Sequence, residues 1–276
     1  MFDAFNYWDL VLLLVVLAMA VPLAYIPQVK YKAFIMSLPF PGTVALLSLG
    51  QHVNASNILG LSLLLLFAHI VRFLYYHRLA GIIPSIAVAA MTYGILGGWL
   101  NRIYPMTTAG FYAAATWNFL LAFAILAFTS PHREPGQKSH LPVVVKIAIV
   151  TTVIAGLIIL KKMIGGFMVA FPMVSLIAMY ESRYSLWSVC RQMAIVMTTL
   201  GLLFFTIFLL QDTIGLHLSI VCGWVVFLMV IIPMHRQNFP SENRNAPQDN
   251  PKRNNTTLAP GGGDRTQPRV KRTPPA

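Results

Sequence analysis

Residues 56–77 read SNILGLSLLLLFAHIVRFLYYH, followed by Arg78. The stretch is apolar for over twenty positions, closes on Tyr75-Tyr76 and is bounded by a cation. A run of about 20 mostly apolar residues is the length of helix that crosses a hydrocarbon core of ~30 Å, and Tyr beside Arg is the pattern of a membrane interface. Eight further stretches share this character, and the nine together run 9–27, 33–49, 56–77, 81–99, 109–129, 142–160, 163–180, 186–209 and 213–233. In lipid each must be helical, since unpaired backbone groups find no water there. The expected fold is all-α, a polytopic membrane protein of about nine spans. A chain of 276 residues that is 57% hydrophobic and only 10% charged lies far from a soluble domain, in which about a quarter of residues are charged.

The net charge of +12 does not mark a nucleic-acid partner, because the cations are distributed as topological anchors. With the N-terminus outside, the inside segments hold Lys30, Lys32, Arg72, Arg78, Arg133, Lys138, Arg183 and eight Lys or Arg of the tail, fifteen altogether. The outside segments hold three, Arg102, Lys161 and Lys162. This bias places the C-terminus in the cytoplasm. The lipid bilayer is the first partner, and a bacterial inner membrane the expected location. The segment before the first span carries Asp3 and Asp9 and no Lys or Arg, unlike the positive start of a signal peptide, so the first helix is read as retained. From about residue 237 the composition turns to Pro, Asn, Gly, Arg and Thr, which cannot build a core. Its Lys252-Arg253 and Arg269 to Arg272 cluster suits anionic lipid heads, though a solvated tail that fixes orientation is the simpler reading.

Sliding the chain against itself by 131 residues brings spans 1–4 onto spans 6–9, Phe40-Pro41 onto Phe171-Pro172, and Tyr93 onto Trp224. The organisation read from this is a first four-helix unit over 1–104, a connector helix and loop over 105–140, a second four-helix unit over 141–236 and a tail over 237–276. Five spans separate equivalent helices. Five is odd, so the second unit is expected upside down relative to the first, an inverted repeat of the kind many transporters use. Lys161-Lys162 on the outside then becomes the copy of an inside loop. The second span of each unit is interrupted, by Pro39, Pro41 and Gly42 in one and by Gly165, Gly166 and Pro172 in the other. Interrupted segments at matching positions point to a midplane binding site; taken singly, each is also explained as a kink or a packing face.

The ionisable groups within the spans are basic. His69 is central in the third span with Arg72 three residues on, so the two share a helix face. Lys146, Arg191 and His217 lie near span ends, and Asn118 is central in the fifth span. Asp9, Glu181 and Asp212 are the only carboxylates near the membrane. Basic groups beside broken helices suit an anion, whereas a cation carrier ordinarily keeps an intramembrane acid. Arg72, Lys146 and Arg191 are equally placed to snorkel to the interface, and a lone His bonded across helices is an ordinary core group. No catalytic or metal-binding spacing is present, neither cysteine belongs to a disulfide or metal pattern, and no cofactor is expected.

The segment from Ile159-Leu160-Lys161-Lys162 through Phe171-Pro172 and Leu176-Ile177-Ala178-Met179-Tyr180 to the last span resembles the GlpM-type small four-helix inner-membrane proteins of bacteria. The resemblance covers residues 145–233, with a fainter echo over 15–99. It implies two such units fused in opposite orientations, and it carries no biochemical role. The function expected is a transporter or flippase for a small anion or an anionic lipid-linked intermediate, not an enzyme, with candidate binding residues Phe40, Pro41, His69, Arg72, Phe171, Pro172 and Arg191. A non-transporting membrane subunit that scaffolds an envelope-synthesis complex is the alternative, and an intramembrane enzyme the third. Gly94, Gly97 and Gly98 offer a small-residue face for a homodimer.

Overall fold

The apolar runs become helices, and proline and glycine set where they stop. A computed structural model describes residues 7–26, 31, 34–35, 37–129, 148, 151–152, 156 and 164–238, and every regular element among them is helical. The helices are α1 (Tyr7–Tyr25), α2 (Phe40–Leu49), α3 (Ala55–Tyr76), α4 (Ile82–Ile103) and α5 (Thr108–Phe128). After the connector come a 3-10 helix (Gly165–Ala170), α6 (Met173–Glu181), α7 (Leu186–Ile214) and α8 (Leu216–Asn238). The expected sixth span, 142–160, lies almost wholly outside the described residues, as do Lys146, Lys161-Lys162 and the tail beyond Asn238.

Five of these helices, α3, α4, α5, α7 and α8, are long and apolar enough to cross a membrane. The nine expected full spans are therefore reduced among the described residues, and the reason is local. Span 33–49 breaks at Leu38 and Pro39, leaving α2 with ten residues. Span 163–180 breaks at Phe171 and Pro172 into a six-residue 3-10 helix and the nine residues of α6. Proline lacks the N–H that would continue a helix and clashes with the turn before it. Pro41 does no such harm, because it sits in the first turn of α2, where the missing N–H has no helical partner.

Asn54 caps α3, its side chain accepting from Ser56 N while Asn57 reciprocates on Asn54 N. Gly50 closes α2 at φ 60°, a left-handed conformation that glycine adopts without strain. Two helices form the centre: the most apolar windows of α3 and α7 are 50% and 56% buried, against 22–28% for α4, α5 and α8. These two pack on each other and run antiparallel. At one end Gln211 of α7 bonds both backbone groups of Val53, which precedes α3, at 2.7 and 3.0 Å. At the other, Arg72 near the end of α3 lies over Trp187 at the start of α7, 4.1 Å from its ring centroid.

Helices α4 and α5 flank α3, while α5 and α8 flank α7. In the α5–α7 contact, Phe111 stacks on Phe208 at 3.7 Å, and the buried Asn118 donates to Met197 O at 3.0 Å. Gly97 and Gly98 are buried within the chain, and Gly97 faces Phe167. Two residues of the expected dimer face are thus engaged inside the bundle.

Candidate functional site

Each broken helix is held by groups distant in sequence. A carbonyl has two lone pairs, and those of the buried 3-10 helix accept from side chains as well as from the chain's own N–H groups. Asn57 Nδ2 donates to Gly166 O at 3.1 Å. Tyr93, only 1% exposed, directs its hydroxyl at Phe167 O (2.8 Å) and Gly60 O (3.3 Å), and its ring meets Phe171 edge-on at 5.1 Å. A side chain at Gly166 would place its Cβ 2.0 Å from Ser56 Oγ, and one at Gly60 would lie 2.8 Å from Ala170 Cβ. Glycine at both positions is what lets the 3-10 helix lie against α3.

The other break is tied in the same manner. Gln192 Nε2, in α7, donates to Ser37 Oγ at 2.6 Å just before the break, and Phe40 packs on Trp224 of α8 at 4.5 Å between ring centroids. Thr43 Oγ1 donates to Pro39 O. Phe40 is 45% exposed and Phe171 half-buried. The two phenylalanines have different aromatic partners, and Pro172 is buried.

His69 occupies a different place. It lines an open groove of about 400 Å³ between α3, α4 and α5, with Leu59, Ser62, Leu66, Trp117 and Ile125 among its walls. Its Nδ1 lies 3.0 Å from Leu65 O. A carbonyl only accepts, so Nδ1 carries the proton in this contact. Ser62 Oγ is buried and has no hydrogen-bond partner among the described residues.

Arg72 and Arg191 stand one turn beyond the same end of this groove. Arg72 follows His69 by three residues, with its guanidinium over Trp187 and its Nε buried without a hydrogen-bond partner among the described residues. Arg191 donates from Nε to Thr129 O at 3.1 Å, and Thr129 caps α5 four residues past Ile125. The candidate residues therefore fall into two groups. Phe40, Pro41, Phe171 and Pro172 sit at the breaks; His69, Arg72 and Arg191 gather at one end of the α3–α5 flank.

Two acidic side chains that the sequence placed at span ends are deeply buried. Asp9, fully buried in α1, accepts from Ser48 Oγ in the last turn of α2. Glu181, at the end of α6, is 2% exposed. Hydropathy could not reveal their burial, because it depends on helices brought together from elsewhere in the chain, α1 on α2 and on α6, which linear spacing does not register. Among the described residues no group of three His, Cys, Asp or Glu could hold a metal ion. Comparison of the chain with protein families, characterised proteins and solved structures returns no match.

Proposed function

We propose that the chain is an integral membrane transporter or flippase built from two inverted four-helix units, moving an anionic cargo. The observation that carries this reading is a reciprocal pair of contacts. Phe40 meets Trp224, and Tyr93 meets Phe171; a shift of 131 residues turns each member of the first pair into a member of the second. Such an exchange is what a two-fold axis between repeats generates, as in an isologous interface. Helix starts agree: α3 begins at Ala55 and α7 at Leu186, also 131 residues apart, and these two equivalent helices run antiparallel. Exchange of conformation between inverted halves is a route to alternating access.

The contacts group helix ends as the expected topology does, while the choice of the outside face rests on the Lys and Arg bias. Asp9 with Ser48, and Val53 with Gln211, join ends assigned to the outside; Arg72 with Trp187, and Arg191 with Thr129, join ends assigned to the inside. Of the two cargo classes, an anionic lipid-linked molecule fits the open apolar groove better than a free anion, which would need a polar cavity.

Single cysteines at Gln51, Lys161, Ser139 and Ser182, with Cys190 and Cys222 replaced, test the topology. Outside labelling of the first two and not the last two is expected; labelling of 51 and 182 from one face overturns the inversion. Vesicles carrying the protein and a headgroup-labelled anionic phospholipid test activity. Protein-dependent loss of the inner-leaflet signal to an outer reductant is expected, and no difference from empty vesicles overturns it. Closed packing at both breaks favours one second reading, a membrane subunit that scaffolds an envelope-synthesis complex. It predicts the same topology with no lipid movement.

A further inference from the structure

The groove on the α3–α5 flank is long and narrow. From Leu59 to His69 it follows α3 for ten residues, about 15 Å at the rise of a helix. Its volume of about 400 Å³ falls at the small end of ligand pockets, which span roughly 300–1,000 Å³, so it has room for one hydrocarbon chain. Apart from Ser62 and His69 its walls are leucine, isoleucine and tryptophan, and among them Leu66 and Trp117 are exposed, Trp117 at 54%. If α3, α4 and α5 cross a bilayer, these two face lipid.

The groove is not uniformly apolar along its length. At the His69 end it meets the imidazole ring. One turn further stand the two guanidinium groups, and among the described residues neither is in an ion pair. The Arg72 charge rests on the face of Trp187, which leaves it unneutralised, and its buried Nε–H has no acceptor among the described residues. An apolar channel ending in two cations outside any ion pair matches one acyl chain of an amphiphile followed by its phosphate. Arg is suited to phosphate because its planar fork presents several donors together.

We infer that this groove is a specific seat for an anionic phospholipid, with one chain between Leu59 and His69 and the phosphate on Arg72 and Arg191. The inference rests on the membrane reading and not on transport: a lipid that binds but does not move would sink the flippase and leave the seat standing.

The test is photocrosslinking of the full chain in phosphatidylcholine vesicles, using phosphatidic acid with a diazirine in mid-chain and peptide mapping by mass spectrometry. Crosslinks are expected on the peptides holding Ser62 to His69 and Trp117 to Ile125. Unlabelled phosphatidic acid should compete, and phosphatidylcholine or inorganic phosphate should not. Arg72→Gln and Arg191→Gln should each lower labelling about fivefold, the effect of ~1 kcal/mol per basic residue near a membrane surface. Leu66→Trp should block it by filling the groove. Arg72→Lys and Arg191→Lys keep the charge and should retain most labelling, which separates lost recognition from lost folding. Equal labelling by a phosphatidylcholine probe, competition by inorganic phosphate, or crosslinks spread over exposed α8 residues such as Leu218 and Val221 would overturn the proposal.

Discussion

Tyr93 ties the 3-10 helix and Phe171 to the centre of the bundle. Its hydroxyl serves two carbonyls and its ring faces Phe171. Tyr93→Phe keeps the ring and takes one donor from each of two buried carbonyls, at a cost of ~0.5–1.5 kcal/mol for each bond; a lower unfolding temperature in detergent is the expected result. Gly166→Ala should destabilise by a similar ~1–3 kcal/mol through overpacking, because its Cβ meets Ser56 Oγ. Ser56→Ala in the same chain should recover part of that loss in the same thermal assay. Neither role was legible in the sequence. The importance of Gly166 and Pro172 was, because glycine and proline interrupt an apolar run wherever they occur. What they dock against was not: Asn57 and Tyr93 lie 109 and 74 residues away from their acceptors, and apolar spacing says nothing about partners at that separation. His69, Arg72 and Arg191 were each visible as basic residues in apolar runs. Their gathering at one groove end depends on α5 meeting α7, which only the fold supplies.

At the scale of elements, the long helices follow their apolar runs closely, since a run of twenty apolar residues in lipid has only the helix available to it. The start of α7 at Leu186 coincides with the expected one. Its end does not: apolar spacing closes the span at 209, whereas the helix continues to Ile214, because Gln211 finds the backbone of Val53 and keeps the last turn paired. The α5–α7 contact is close because Gly201 faces Asn118, whose amide a Cβ there would approach to 2.7 Å. Gly201→Val should separate the two helices and break the bond from Asn118 to Met197 O. Polar contacts between membrane helices are worth ~0.6 kcal/mol on average, so most of the loss should come from packing. A clearly larger fall in unfolding temperature for Gly201→Val than for Asn118→Leu would establish that order. In α2, Pro41→Ala should leave stability nearly unchanged, since a first-turn proline forgoes no helical bond; lost lipid movement in that variant, at unchanged unfolding temperature, would assign Pro41 to the transport cycle.

For the molecule as a whole, the proposed exchange of conformations requires the two aromatic contacts, Phe40 with Trp224 and Tyr93 with Phe171, both formed here, to open in turn. Cysteine pairs replacing either contact, bridged by a short bifunctional reagent, should each halt lipid movement when crosslinked, and reduction of a cleavable bridge should restore it. Undiminished movement with both bridges in place would show that the breaks take no part in transport. The 29 residues of α7 bear on something else, the bilayer itself. At 1.5 Å per residue the helix is about 43 Å long, but Arg191 and Gln192 near its start and Gln211 and Asp212 near its finish mark off the ends. The apolar run between them, 193–210, is about 27 Å, close to a hydrocarbon core of ~30 Å. Both polar ends should then stand in the headgroup layers, and the protein should sit in a bilayer of ordinary thickness without pressing it out of its resting shape.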